Sequence, residues 1–221
     1  MKNNCKEQVN KNIETLFCFI KKTFIFAIYK HCMEYHLFIN DHIDDIDWEV
    51  SLPLLSEQRR EQVLRYKHIL GRRTCVAAYL LLRKALLEVY GITEKPVFEY
   101  GEHGKPSIIG HPEIHFNLSH CKEAAICVVS NHPIGVDVES VREYKESLAR
   151  YSMNDEEFKQ ILNASRPDVA FTRLWTMKEA LVKMIGTGIS NHMKDVLSQP
   201  AHITTVESED LRYVYSVCQM E

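Results

Sequence analysis

The chain of 221 residues contains no Cys-x-x-Cys pair, no internal repeat, no low-complexity linker and no uninterrupted apolar run long enough to span a bilayer. Its seven cysteines (Cys5, Cys18, Cys32, Cys75, Cys121, Cys127 and Cys218) are odd in number and scattered. That excludes a disulfide framework and a zinc site, and predicts reduced thiols in a cytoplasm. There is no excess of basic residues either. A net charge of -3 and a pI near 6.4 argue against a general nucleic-acid binder. The acidic run Asp41, Asp44, Asp45, Asp47 lacks the Gly and closing Glu of a calcium-binding EF-hand loop and reads as a solvated loop. What is present, 45% hydrophobic and 26% charged residues, is the composition of an ordinary soluble globular protein with one large domain or two small ones.

Residues 1–32 stand apart, with six lysines against two glutamates, a local charge of +4 that leaves -7 on the rest. Their apolar stretch, Leu16 to Tyr29, is cut by Lys21 and Lys22. A membrane-spanning helix needs about 20 mostly apolar residues, and no small-residue cleavage site follows as a signal peptide requires. Two readings are left. One is an extension lying on the domain; the other, which we favour from the sequence, is a leader read from a start codon upstream of Met33.

From Met33 onward the pattern alternates between strand and helix. Tyr35–Ile39 reads as a strand, Ser56 as the N-cap of a helix running through about Ile69, and Arg72–Tyr90 as a core helix stopped by Gly91. Arg72 and Arg73 fall at that helix's N-terminus, where cations oppose the dipole, so an anion is expected there. Val97–Tyr100 reads as a strand, followed by the turn Gly101-Glu-His-Gly-Lys-Pro106. Three more strands are predicted over Glu113–Leu118, Ala124–Ser130 and Ile134–Glu139, the last two joined by the tight turn Asn131-His-Pro133. Asn154 opens a helix, and Ala170–Ile185 forms a longer one ended by Gly186 and Gly188. His202–Cys218 reads as two strands joined near Ser208-Glu-Asp210. The class is α+β with antiparallel sheet.

Two segments carry chemistry. In Ile134–Glu139, Ile134, Val136 and Val138 share one face of the strand, and Gly135, Asp137 and Glu139 the other. Two like charges on one face repel unless a cation lies between them. In Trp175–Ile189 a helix carries Lys178, Glu179 and Lys183. Taken alone, Glu179 and Lys183 are an i, i+4 pair of the kind that decorates solvated helices. Combined with Asp137 and Glu139, Glu179 completes a three-carboxylate set suited to magnesium, which takes few protein oxygens and fills its shell with water and phosphate. Lys178 and Lys183 would then flank a bound diphosphate. Ser119 and His120, at a strand end, could hold a second phosphate.

The ordered set Gly104-Lys-Pro106, Phe116-Asn-Leu-Ser-His120, Ile134-Gly-Val-Asp-Val-Glu139 and Trp175-Thr-Met-Lys-Glu-Ala-Leu-Val-Lys183 resembles the signature of the Sfp-type 4'-phosphopantetheinyl transferases. The resemblance runs from about Met33 to the C-terminus. It implies two similar α+β halves about a pseudo-twofold axis, here 33–110 and 111–221, with coenzyme A in the cleft between them. It also implies that Asp137, Glu139 and Glu179 bind Mg2+, that Lys178 and Lys183 contact the diphosphate, and that Ser119, His120 and Arg73 hold the 3'-phosphate. Lys105 and Pro106 would lie against the adenine, and Arg59 falls where the family often has a basic residue. After His120 the chain departs from the family's usual Ser or Thr then Gly, having Cys121-Lys122, which bears on loop shape.

The implied reaction moves 4'-phosphopantetheine from coenzyme A to a serine of an apo acyl or peptidyl carrier protein and releases adenosine 3',5'-bisphosphate. Glu179, or a water it shares with the metal, is the expected base, and Lys183 the stabiliser of phosphoryl charge. The expected protein is a cytoplasmic monomer that engages neither nucleic acid nor membrane. Its carrier-binding surface is expected near Arg59–Lys67 and the apolar residues after Gly186. A coenzyme A or carrier-binding protein without chemistry and a magnesium-dependent phosphohydrolase are the alternatives.

Overall fold

The structure is a computed structural model that describes the backbone of residues 24–28, and residues 35–188 and 193–220 in full. Met33, the expected start of the fold, lies outside the described residues. Strand β1 (Phe24–Ile28) pairs antiparallel with β2 (Tyr35–Asn40). After β2 come the short helix α1 (Trp48–Ser51), capped by the Asp47 carboxylate, then α2 (Glu57–Arg65), capped by Ser56, and the long α3 (Ile69–Tyr90). Gly91, at φ +68°, ends α3 in the left-handed conformation that glycine adopts without strain.

The α2–α3 corner differs from the sequence expectation. The first helix stops at Arg65 and the second begins at Ile69, because Tyr66 turns extended and lays its ring on Gly71, where a Cβ would come within 2.5 Å of Tyr66 Cδ1. Arg72 is spent on this corner. Its Nε donates to the Tyr66 carbonyl at 2.9 Å, and its guanidinium sits 4.5 Å from the Trp48 ring centroid.

A small hairpin, β3 (Phe98–Tyr100) with β4 (Pro106–Ile108), precedes β5 (His115–His120) and β6 (Ala125–Ser130). The chain then runs through β7 (Ile134–Ser140), α4 (Glu146–Ser152), α5 (Asp155–Asn163), α6 (Pro167–Ile185), a 3-10 turn (Met193–Ser198), β8 (His202–Glu207) and β9 (Tyr213–Gln219). The sheets have orders β1-β2-β6-β5 and β7-β9-β8, and every pairing is antiparallel. The α+β class with packed helices is as the sequence indicates. One topology occurs twice: a strand, a set of helices ending in a long one, then two strands of which the second pairs with the first. β2, α3, β5 and β6 make one copy; β7, α6, β8 and β9 make the other.

Period-2 alternation decides how the layers stack. In β2 and β6, Phe38, Cys127 and Val129 face α3, whereas Leu37, Ile39, Ile126 and Val128 face Ile134, Val136, Val138 and Val217 of the second sheet. β6 is therefore buried on both faces, and every one of its six residues is buried. The opposite face of β7 carries Gly135, Asp137 and Glu139 and meets α6. Here helix and strand backbones touch, since a Cβ on Gly135 would lie 2.1 Å from the Ala180 carbonyl oxygen and 2.5 Å from the Met184 nitrogen. Replacing Gly135 by Ala must push α6 off β7, at a cost of about 3 kcal/mol. We expect Gly135→Ala to lower the midpoint of urea denaturation accordingly; an unchanged midpoint would show that the two backbones are not in contact.

Candidate active site

Gly135 fixes the distance at which β7 and α6 face each other, and the acidic residues follow from that. Glu179 and Lys183 precede Ala180 and Met184, the residues stacked on Gly135, so one turn of α6 presents an acid and a base to Asp137. Lys183 Nζ donates to Asp137 Oδ1 at 2.6 Å and to Ser119 Oγ at 3.1 Å. Asp137 is only 3% exposed and Glu179 only 7%. Even so, Asp137 Oδ2 and Glu179 Oε1 are buried without a hydrogen-bond partner.

Burial, and then the neighbouring Asp137 carboxylate, push the Glu179 carboxyl above its usual range; Glu139 adds to the rise and Lys183 opposes it. Glu139 is shifted the same way by the same two leading causes, against the pull of Arg142, Lys183 and an indole hydrogen bond from Trp175. Three carboxylates and one lysine leave negative charge and two idle oxygens in a poorly hydrated place. A hard divalent cation meets that need, because Mg2+ binds through a few carboxylate oxygens and keeps its remaining positions for water and phosphate. Among the described residues no three acidic, His or Cys side chains stand close enough together to hold a metal by themselves, so most of such a shell would come from outside the protein.

Beside the carboxylates opens a cavity of about 310 Å3 lined by Lys105, Pro106, Asn117, Glu179, Lys183 and Gly186 among others. Lys105 does not point its charge into this space. Its Nζ donates to the Met184 carbonyl at 2.5 Å, capping the C-terminal end of α6, and its stem lies along Gly186, where a Cβ would come within 3.0 Å of it. Gly186 holds φ +83° as the helix turns out. The Lys105 stem and Pro106 leave a flat apolar wall.

His120 closes β5 at the protein surface. The packing around its ring lowers the imidazole pKa, and the Lys183 and Arg59 cations lower it further. Arg59, a weak candidate on sequence alone, thus shares a field with His120. Its guanidinium lies 5.3 Å from the Tyr79 ring centroid and 5.2 Å from that of Phe98, and its Nη1 reaches Cys75 Sγ at 3.7 Å. Arg73 is engaged elsewhere, donating through Nη1 to Asp44 Oδ1 at 2.9 Å. The anion expected at Arg72 and Arg73 is in part this carboxylate.

Lys178 is corrected outright. It is 0% exposed, and its three ammonium protons go to Glu157 Oε2 at 2.8 Å, the Met193 carbonyl at 2.6 Å and the Lys194 carbonyl at 3.3 Å. It is a structural tie from α6 to α5 and the 3-10 turn, not a diphosphate contact. Sequence reasoning missed Trp175, whose indole donates to Glu139 and whose ring continues a stack with Phe171 and Tyr144. Its position four residues before Glu179, on the same helix face, was the signal.

A family model, that of the 4'-phosphopantetheinyl transferase superfamily, matches residues 133–218, the stretch that includes β7 and α6. The chain is 31% identical over 141 residues to 4'-phosphopantetheinyl transferase psf-1 of Bacillus pumilus, covering 62% of this chain and 60% of that protein. It is 32% identical over 138 residues to 4'-phosphopantetheinyl transferase gsp of Aneurinibacillus migulanus, covering 61% and 57%. To 4'-phosphopantetheinyl transferase Sfp of Bacillus subtilis it is 26% identical over 159 residues, 71% of each chain. The match thus spans about three fifths of the length of the first two relatives. Asp137, Glu139, Glu179 and Lys183 all fall within the stretch that is similar to this superfamily.

Proposed function

We propose that this protein transfers 4'-phosphopantetheine from coenzyme A to a serine hydroxyl of an apo acyl or peptidyl carrier protein, with Mg2+ as cofactor. One observation carries the reading: the unpartnered oxygens Asp137 Oδ2 and Glu179 Oε1 stand beside Lys183 at a cavity walled by Lys105 and Pro106. In the reaction the serine oxygen forms a bond to the β-phosphorus of coenzyme A. The bond from that phosphorus to the bridging oxygen breaks, and adenosine 3',5'-bisphosphate leaves. Glu179, or a water it orients, takes the serine proton, a role suited to a carboxyl whose pKa is raised. Lys183 stabilises charge on the diphosphate, Arg59 supplies positive field for the 3'-phosphate, and His120, its imidazole pKa lowered, offers that phosphate a ring N–H. Asp137, Glu139 and Glu179 would hold Mg2+, which when bound supplies charge neutralisation at the diphosphate.

The carrier approaches from the Glu139 side. A second cavity of about 430 Å3 there is bordered by Glu139, Arg142, Glu143, Tyr144, Lys145, Leu148 and Trp175, of which Arg142 and Lys145 are the groups that would meet an acidic carrier. This competes with the surfaces suggested by sequence, of which residues 189–192 lie outside the described residues. Every group named belongs to one chain, so a monomer has the whole site. No described helix is long and apolar enough to cross a membrane; a cytoplasmic location belongs to this proposal.

Incubating an apo carrier with coenzyme A and Mg2+ and weighing it by mass spectrometry tests the reaction. We expect a gain of one phosphopantetheine, reduced at least about a thousandfold in rate by Glu179→Ala or Asp137→Ala. Free bisphosphate without carrier gain would instead mark a hydrolase. The charge cluster gives a second outcome, with its sign set by linkage. A carboxyl whose folded pKa is raised adds stability at low pH that is lost as pH rises through that pKa, so above that pKa the Glu179 charge burdens the metal-free fold. Glu179→Gln is expected to melt higher than wild type in EDTA and to lose the melting increase that Mg2+ gives the wild type. Equal Mg2+ responses in the two proteins would remove Glu179 from the metal site.

A further inference from the structure

Strand β7 has a strand beside it on one edge only, β9. Its other edge is served by side chains of β5 in steps of two residues. Asn117 Oδ1 accepts from the Val136 N–H at 3.0 Å, and Ser119 Oγ from the Val138 N–H at 3.2 Å. The next step sets Cys121 against Ser140, in the turn between β5 and β6 where the sequence departs from the pattern that it otherwise resembles. A further residue enters here. Glu123 Oε2 accepts from the Ser140 hydroxyl and, at 3.6 Å, from the Cys121 thiol. The Cys121 N–H closes the turn on the Ala124 carbonyl at 2.8 Å, so the Glu123 carboxylate joins the turn to the end of β7. Its side chain is 14% exposed; Lys122 Nζ lies 3.9 Å from Oε1 but is 75% exposed, and holds it little.

Ser140 is the last residue of β7 and follows Glu139 directly. Successive residues of a strand point to opposite faces, so holding Ser140 on the face of Val136 and Val138 turns Glu139 toward α6. We propose that Glu123 is a positioning residue for the metal site, clasping Ser140 to the β5–β6 turn and so fixing the direction in which Glu139 presents its carboxylate. Of the three acids, Glu139 is the one that needs such help. Asp137 lies mid-strand and is held by Lys183 and Ser119, and Glu179 rides on a helix seated at Gly135. Glu139 stands one residue from a strand end, where backbones fray most readily. The charges that bear on its carboxyl are those of Asp137, Arg142 and Lys183. Glu123 therefore acts through the chain, as an outer partner that orients a ligating group. This inference rests on the Mg2+ site proposed above.

Melting curves of the full chain over a Mg2+ titration, with EDTA as the zero point, read the clasp apart from the fold. We expect Glu123→Ala to raise the Mg2+ concentration giving half of the full melting increase roughly tenfold. Glu123→Gln keeps an oxygen for the Ser140 hydroxyl and loses only the charge, so it should stay within about twofold of wild type. Ser140→Ala removes the other half of the clasp and leaves every backbone bond; it should match Glu123→Ala, and it carries the test if that variant does not fold. The double variant should then be no worse than either single one, since both break the same contact. Variants that melt lower in EDTA but keep the wild-type Mg2+ midpoint would make the clasp a turn-stabilising contact and overturn the inference alone. So would a Glu123→Gln midpoint shifted as far as that of Glu123→Ala. A wild-type protein whose melting ignores Mg2+ would instead overturn the metal site, and this inference with it.

Discussion

The backbone contact between β7 and α6 at Gly135 is the constraint on which the site depends. No side chain fits between the Gly135 Cα and the Ala180 carbonyl, so helix and strand lie at the closest approach that polypeptide allows. That closeness sets Glu179 and Lys183 against Asp137. It also brings the α6 C-terminus to the Lys105 turn, where the lysine caps the last carbonyls. A wider gap would admit water, let each carboxylate hydrate separately and dissolve the mutual repulsion that marks the site.

That repulsion is kept in place by groups that are themselves satisfied. Lys183 neutralises one oxygen of Asp137, Ser119 supplies a hydrogen bond to the same oxygen, and Trp175 steadies Glu139. Further out, Thr176 Oγ1 and Thr205 Oγ1 each lie within hydrogen-bond distance of Ser216 Oγ, in the strand beside Asp137. Lys178 and Glu157 pair in the interior, and Glu157 simultaneously accepts from the Asn154 N–H in the capping box of α5. The polar groups immediately around the carboxylates are thus partnered while Asp137 Oδ2 and Glu179 Oε1 are not, the arrangement expected where stability is given up locally for function.

Much of this was legible in the sequence because its signals are local and periodic. Alternation in Ile134–Glu139 put Asp137 and Glu139 on the face opposite Ile134, Val136 and Val138, and the Gly186 and Gly188 stops placed the end of α6 correctly. The spacing of Glu179 and Lys183 was readable as one helix face. What failed was tertiary. Nothing in the 178–183 spacing says that Lys178 turns inward, because its partner Glu157 and the carbonyls of Met193 and Lys194 come from distant segments. Likewise the break between α2 and α3 depends on Tyr66 folding onto Gly71, and the engagement of Arg73 on Asp44, 29 residues away in the chain. Arg59 gained weight only when the rings of Tyr79 and Phe98 were seen around it.

The central proposal is that carboxylates from one strand and one helix converge on a single divalent cation beside the cavity walled by Lys105 and Pro106. Anomalous diffraction from crystals grown with Mn2+ and coenzyme A reads that claim most directly. The account predicts one strong peak coordinated by oxygens of Asp137, Glu139 and Glu179 and by the diphosphate. A peak held by other residues, or a bound diphosphate with no metal at those three carboxylates, would contradict it.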